Sequence, residues 1–278
     1  MSKGILYLVP TPIGNLSDMT YRAVEILKTV DLIAAEDTRT SQKLLKHYDI
    51  KNKLISYHKF NERKQTESFI ALLLEGKNIA IISDAGTPGI SDPSNIIVKE
   101  AISNEIQVCC LPGATALITA LAASGLNSDQ FTFVGFLPTK KKDKDNLLKS
   151  LEKLPHTLVL YEASHRITDT LKELSLLFGA RQCVIARELS KLFETYLRGN
   201  LTELAEKQDM ETRGEFVILI EGKPEENLTD AELLTLISVS VKPGIALKTL
   251  STQISDATGI NRNRIYNLAL TLKQPHDL

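Results

Sequence analysis

Residues 78–105 read NIAIISDAGTPGISDPSNIIVKEAISNE. The run Ile79–Ile82 is apolar without alternation, the pattern of a strand buried on both faces. Ser83–Pro93 then crowds Gly, Pro, Asp, Ser and Thr into a tight polar loop, and the segment from Asp92 to Glu105 has helical spacing. A buried strand that opens through a turn into a helix is one unit of a largely parallel, helix-covered sheet. Outward from this stretch the same alternation continues. GILYLVP, DLIAAE, KLISYHK and IQVCCLP read as strands, and DMTYRAVEILKTV, TSQKLLKHYDI, ERKQTESFIALLLEGK and ATALITALAASG read as helices. Gly76 and Gly125 stand where helix C-caps belong.

The second half is spaced differently. QFTFVGFLP, HTLVLYEA, QCVIARELS and GEFVILIEG are strands closer together in sequence, with amphipathic segments after the first two, so this sheet is expected to be mixed or antiparallel. A polar stretch, Lys223-Pro224-Glu225-Glu226, leads into a tail from Thr229 to Leu272 that reads as a small three-helix unit. The expected fold class is therefore α/β, two α/β domains plus a C-terminal helical unit, divided at 1–115, 116–224 and 225–278.

Composition bounds the function. The 278 residues carry a formal net charge of −1, which gives no global footprint for nucleic acid, although a local basic face can suffice. Cys109, Cys110 and Cys183 lack metal-ligand spacing, and the first two sit in an apolar run that suits small buried hydrophobes. The expectation is a reducing, cytoplasmic setting with no metal. MSKGILYLVPTP has too short an apolar run for a signal peptide, and CCLPGATALITALAASGL is broken by Pro112 and Gly113, so no membrane span is expected.

Three strand ends share one character: VPTPIGNLSD (Val9–Asp18), SDAGTPGISDP (Ser83–Pro93) and LPGATA (Leu111–Ala116). In an open α/β sheet, ligands bind outside the carboxyl ends of the strands. Gly and Pro often only turn the chain, but three such loops at one edge make a pocket. None matches a P-loop or a dinucleotide fingerprint, and Asp18, Asp84 and Asp92 would repel phosphates. Gly86 and Gly89 let backbone approach a ligand closely. The pocket suits a nucleoside without phosphates, a cationic one included, and S-adenosylmethionine fits that description.

LVPTPIGNLSDMTYRA, AAEDTRTSQKLL, SDAGTPGISDP, LPGATAL, YEASHR, ARELSKLFE and RGEFVILIEG, taken in order, resemble the tetrapyrrole methylase superfamily. Within it they resemble the branch that methylates a cytidine ribose in 16S ribosomal RNA, from about Leu6 to the C-terminus. Ser94 and Ala163 depart from that pattern, where Gly and Pro are usual. The resemblance implies S-adenosylmethionine in a cleft between two domains, a homodimer, and 16S rRNA or the small ribosomal subunit as partner. It places Ile13, Thr87, Ile90, Thr115 and Ala116 at the cofactor, beside Asp84 and Gly86 of the same loops. Tyr161 and Arg187 approach from the second domain, as does Phe216, although Tyr161 and Phe216 also read as ordinary core aromatics.

Catalytic candidates are the strand-end carboxylates Glu36, Asp37, Glu162 and Glu188, since a 2′-hydroxyl must lose its proton. Glu36-Asp37-Thr38 reads equally as a helix N-cap. Arg39, Arg166, Lys191, Arg262 and Arg264 are candidates for RNA phosphates. The last two open the final helix of a segment with helix-turn-helix character, with Gly259 at its turn, which reads alternatively as a packing bundle. A small-molecule tetrapyrrole methylase and a DNA-binding regulator are the rival readings.

Overall fold

The computed structural model describes residues 2–223, 228–241, 245–258 and 260–272. Gly259 and the Pro224–Glu226 part of the polar stretch lie outside the described residues. The chain forms two compact units, one through Lys223 and one from Pro224.

In the larger unit, β1 (Ile5–Leu8), β2 (Leu32–Ala35), β3 (Leu54–Ser56), β4 (Ile79–Ile82) and β5 (Gln107–Cys110) form one parallel sheet in the order β3-β2-β4-β1-β5. Its connecting helices are α1 (Tyr21–Thr29), α2 (Thr38–His47), α3 (Glu62–Leu74) and α4 (Asn95–Ser103). The apolar runs of β2 and β4 are buried along their whole length. Successive residues of β4 serve opposite faces, as the two-residue period of a strand requires. Ile79 and Ile81 pack with Phe69 of α3 and Ile97 of α4, whereas Ala80 and Ile82 pack with Leu27 of α1 and Leu45 of α2. The connection leaving β2 runs toward β3 and that leaving β4 runs toward β5, so their loops part at a switch point between these neighbouring strands. β5 is an edge strand, which corrects the expectation for the cysteine pair: Cys110 is exposed and Cys109 half-buried. Cys183 is buried, and burial pushes its thiol up to about 12.

α5 (Ala116–Ser124) follows β5 in sequence but packs on a second sheet. That sheet holds β6 (Phe131–Phe136), β7 (Thr157–Ala163), β8 (Gln182–Arg187), β9 (Thr195–Asn200) and β10 (Glu215–Ile220) in the order β6-β7-β10-β8-β9. Only β6 and β7 run parallel; the other pairs are antiparallel, as the strand spacing predicts. Leu117, Ala120 and Leu121 of α5 cover Val159, Val184, Val217 and Leu219. On the opposite face α6 (Lys141–Leu151), α7 (Ile167–Phe178) and α8 (Leu201–Glu206) cover Leu158, Leu160, Ile185 and Ile218. At 25 cal/mol per Å², each fully buried Leu or Val here contributes about 1.5–3 kcal/mol.

The smaller unit holds α9 (Asp230–Ser240), α10 (Leu247–Thr258) and α11 (Arg262–Thr271) around Leu233, Ile237, Leu250, Ile254 and Ile265. Thr229 and Glu232 close a capping box at its start. No described helix is long and apolar enough to cross a membrane.

Candidate functional site

The loops that leave β1, β4 and β5 are knitted together before any ligand is considered. Thr11 and Gly86 form an isolated antiparallel bridge, each N–H donating to the other's carbonyl at 2.9 and 3.0 Å. The Thr11 hydroxyl donates to the Ser83 carbonyl and the Thr87 hydroxyl to the Ala114 carbonyl, both at 3.0 Å. Gly86 holds φ +85°, a conformation that an L side chain rarely adopts, and Gly113 lies so close to Pro10 that a Cβ would sit 2.5 Å from the proline Cβ. This scaffold fixes one wall of a cavity of about 420 Å³.

The other wall comes from the second sheet. Tyr161 lies between Phe133 and Phe136, with ring centroids 5.0 and 5.6 Å away. Its hydroxyl accepts from the Leu117 N–H at 3.1 Å, satisfying one of the free donors in the first turn of α5. Gly135, at φ +71° in a β-bulge, brings β6 against Ser91 of the β4 loop.

The cavity is bordered by Ile13, Asp84, Gly86, Thr87, Ile90, Thr115, Ala116, Tyr161 and Phe216. Phe216 is nonetheless nearly buried and belongs to the core cluster beneath α7, as its core reading has it. Arg187 does not border the cavity; its guanidinium donates to the carbonyls of Arg213 and Phe193. Of the catalytic candidates, Glu36 and Glu162 border the cavity and Asp37 and Glu188 do not.

Asp37 is the N-cap of α2, accepting from the Arg39 N–H at 2.8 Å. Hydrogen bonds from the Arg39 side chain and backbone hold its carboxyl down to about 2. Glu188 sits at φ +52°, accepts from the Glu215 N–H at 3.0 Å and pairs with Lys191 at 2.8 Å. Burial raises its carboxyl, but Lys191 and the backbone donor outweigh that and leave it lowered. Glu162 is buried with its oxygens filled: Arg166 Nε at 2.8 Å, the Thr170 hydroxyl at 2.7 Å and the Ala163 N–H at 2.8 Å all donate to it.

The cavity lining has no lysine, arginine or histidine, while Glu36, Asp84 and Asp92 meet in it from β2 and the β4 loop. Burial raises the Glu36 carboxyl, and Asp84 raises it further. Burial likewise raises Asp84, against the Asp37 N–H that donates to it at 3.1 Å. Asp92 is pushed up to about 7, first by burial and then by Glu36 and Asp84. Such a field attracts a cation and resists an anion. Asp92 was legible only as a residue unfriendly to phosphate; its convergence with Glu36 depends on the turn through Gly89 (φ +87°) and Ser91 (φ +67°). Phe136, Leu189 and Glu215, which also border the cavity, carried no sequence signal.

The expected phosphate-binding cations are mostly engaged elsewhere. Arg39 pairs with Asp37, Arg166 with Glu162, and Lys191 with both Glu188 and Glu215. Arg264 ties α11 to Asp230 at 2.7 Å and to the Leu228 carbonyl at 2.8 Å, which is a packing role inside the helical unit. Arg262 is exposed. Unforeseen were Lys59, Arg63 and Lys64, exposed around Phe60, which is 93% accessible. They follow β3, whose end is in register with that of β2, and the neighbouring His58 acts electrostatically on Glu36.

The family model of tetrapyrrole (corrin/porphyrin) methylases matches residues 5–205. The chain is 47% identical to the ribosomal RNA small subunit methyltransferase I of Synechocystis sp., over 97% of the chain and 99% of that protein. It is 43% identical to the protein of that name from Escherichia coli O157:H7, over 97% and 96%. Among solved structures it resembles a diphthine synthase, with TM-score 0.63 and 11% identity over 78% of this chain and 90% of that one. It also resembles the uroporphyrin-III C-methyl transferase of Thermus thermophilus in complex with S-adenyl homocysteine, with TM-score 0.55 and 18% identity over 79% and 98%.

Proposed function

The chain belongs to the tetrapyrrole methylases and, within them, to the ribosomal RNA small subunit methyltransferase I family, and from that premise we propose that it methylates the ribose 2′-hydroxyl of a cytidine in 16S rRNA. S-adenosylmethionine is the methyl donor, and its bound form supplies an electrophilic methyl group on a sulfonium. The observation that carries the reading is the cavity itself, in which Glu36, Asp84 and Asp92 converge and whose lining holds no cation, at the switch point of a parallel sheet. That donor set fits a ligand bearing a sulfonium and an ammonium and would repel a phosphate.

The chain's own residues divide the work. The backbone from Gly86 to Ile90 and the side chain of Ile13 enclose the nucleoside. The first turn of α5 at Thr115 and Ala116 offers N–H groups to the donor's carboxylate. Tyr161 holds that turn by accepting from Leu117. Glu36, Asp84 and Asp92 face the positive charge. Orientation of the ribose oxygen against the methyl carbon supplies several kcal/mol of the barrier lowering. Glu162 acts by fixing Arg166 and α7, since its oxygens are already occupied.

RNA approaches the larger unit over Arg39, Lys59, Arg63 and Lys64, with Phe60 as a stacking platform. In this reading residues 1–115 and 116–224 form the cofactor cleft and residues 225–278 contact RNA, the enzyme works in the cytoplasm, and two copies assemble as a homodimer. The test is to incubate the protein with labelled S-adenosylmethionine and small ribosomal subunits from cells lacking the modification. Label on a cytidine ribose of 16S rRNA, mapped by mass spectrometry, is expected. Absence of label, or label on a base nitrogen, overturns the reading. Light scattering at a single-chain mass would overturn the dimer.

A further inference from the structure

We propose that Asp92 is the group that takes the proton from the ribose 2′-hydroxyl, set for that task by its place in the cavity beside Glu36 and Asp84. The inference rests on the methyltransferase reading above and adds to it the identity of the base. Four carboxylates stood as candidates from sequence, and the structure disposes of three. Asp37 is capped onto Arg39, Glu188 is paired with Lys191 outside the cavity, and Glu162 has its oxygens filled by buried donors. Glu36 borders the cavity and stands as a neighbour of Asp92.

Asp92 differs from the first three in being half-buried at the cavity with no cation paired to it among the described residues, and from Glu36 in that His58 acts on Glu36 and no cation acts on Asp92. The groups that face it are Glu36 at the end of β2, Asp84 and the Ser83 hydroxyl of the β4 loop, and Tyr161 from β7. Burial and the two like charges raise its affinity for a proton, which the Ser83 hydroxyl partly offsets. A base near neutrality can both be ionised at working pH and hold the proton it takes. A sulfonium beside it would favour its ionised form, so the loaded enzyme would present it as the carboxylate.

In the step, the 2′-O–H bond breaks as its proton passes to an Asp92 oxygen. The ribose oxygen forms its bond to the methyl carbon while the carbon–sulfur bond breaks, leaving neutral S-adenosylhomocysteine. The protonated Asp92 then returns its proton to solvent as the products leave. No oxidant, metal or further reactant enters the balance.

The test has two arms on the full-length protein. In the first, calorimetric titration with S-adenosylmethionine at pH 7, in buffers of different ionisation enthalpy, counts protons released on binding without turnover. Wild type is expected to release more protons to S-adenosylmethionine than to S-adenosylhomocysteine, and Asp92→Asn to lose that difference. An unchanged difference in Asp92→Asn overturns the proposal.

In the second arm, methylation of small subunits is followed from pH 5.5 to 9. The wild-type kcat/KM for S-adenosylmethionine is expected to rise with pH to a plateau above about 7. Asp92→Asn, still binding S-adenosylhomocysteine within a few-fold, is expected to lose about a hundredfold or more in kcat. Glu36→Gln removes a like charge and is expected to move the rising limb to lower pH, whatever its plateau. A flat wild-type profile, or an unmoved limb in Glu36→Gln, overturns the role of Asp92 while leaving the methyl transfer standing. Absence of methylation by wild type under all conditions would instead fail the parent reading.

Discussion

Glu162→Ala isolates the network that supports the second wall of the cavity. The Glu162 side chain is 1% exposed and its partner Arg166 is 26% exposed. Removing the carboxylate leaves a half-buried guanidinium with only the Leu137 carbonyl at 3.3 Å, and strips acceptors from the Thr170 hydroxyl and the Ala163 N–H. Breaking a buried pair from one side costs about 3–5 kcal/mol, and the partial exposure of Arg166 argues for about 3. For a unit of this size each kcal/mol moves the midpoint by about 2–4 °C, so the larger unit should melt about 6–12 °C lower. Glu162→Gln keeps the shape and one oxygen and should cost about half as much. Urea unfolding followed by circular dichroism measures both. This supporting role for Glu162 fails if Glu162→Ala loses less than about 1 kcal/mol. It fails equally if Glu162→Gln, folded and binding S-adenosylhomocysteine normally, has lost its turnover, because Glu162 would then be doing chemistry.

Three more expectations follow from the same geometry. Gly113→Ala drives a Cβ to 2.5 Å from Pro10 and should weaken S-adenosylhomocysteine binding at least tenfold by calorimetry; unchanged affinity would show that the loops yield freely. Asp92 is raised from 3.8 to about 7, chiefly by burial, so the folded chain holds an extra proton between those values and stability falls as pH rises through that window. The full shift would be worth about 4 kcal/mol and solvent screening reduces it to about 1–2, a slope that Asp92→Asn should flatten in denaturant titrations at pH 5 and pH 8. Lys59→Glu with Arg63→Glu should weaken small-subunit binding about tenfold at low salt and shallow its salt dependence, leaving S-adenosylhomocysteine affinity unmoved; equal salt slopes would exclude this surface.

The first sheet was legible because its strands are continuous apolar runs bounded by Gly and Pro, with β4 the plainest. β9 was not, since TYLRGN is a polar edge strand whose partner on β8 is set by tertiary register. The loops that make the cavity announced themselves by composition, while the meeting of Glu36, Asp84 and Asp92 did not, because it depends on where a loop with three left-handed residues carries the chain. The cations show the opposite case. Asp37 with Arg39, Glu162 with Arg166 and Glu188 with Lys191 are near neighbours in sequence, so their mutual neutralisation could have been read from spacing alone. Arg264 with Asp230, 34 residues apart, could not.

α5 follows the last strand of the first sheet yet buries its apolar face under strands of the second. Its Leu121 shares a cluster with Val217 and Leu219, roughly a hundred residues downstream. At about 5–20 residues per second, a nascent chain carries that face uncovered for about 5–20 seconds after α5 has been made. The methyl-donor cleft is consequently among the last features of the larger unit to come into being, and a chain halted before Gly214 would hold nearly every cleft residue without a cleft. A chaperone that shields one short, small-residue helix would be positioned to govern the yield of active enzyme.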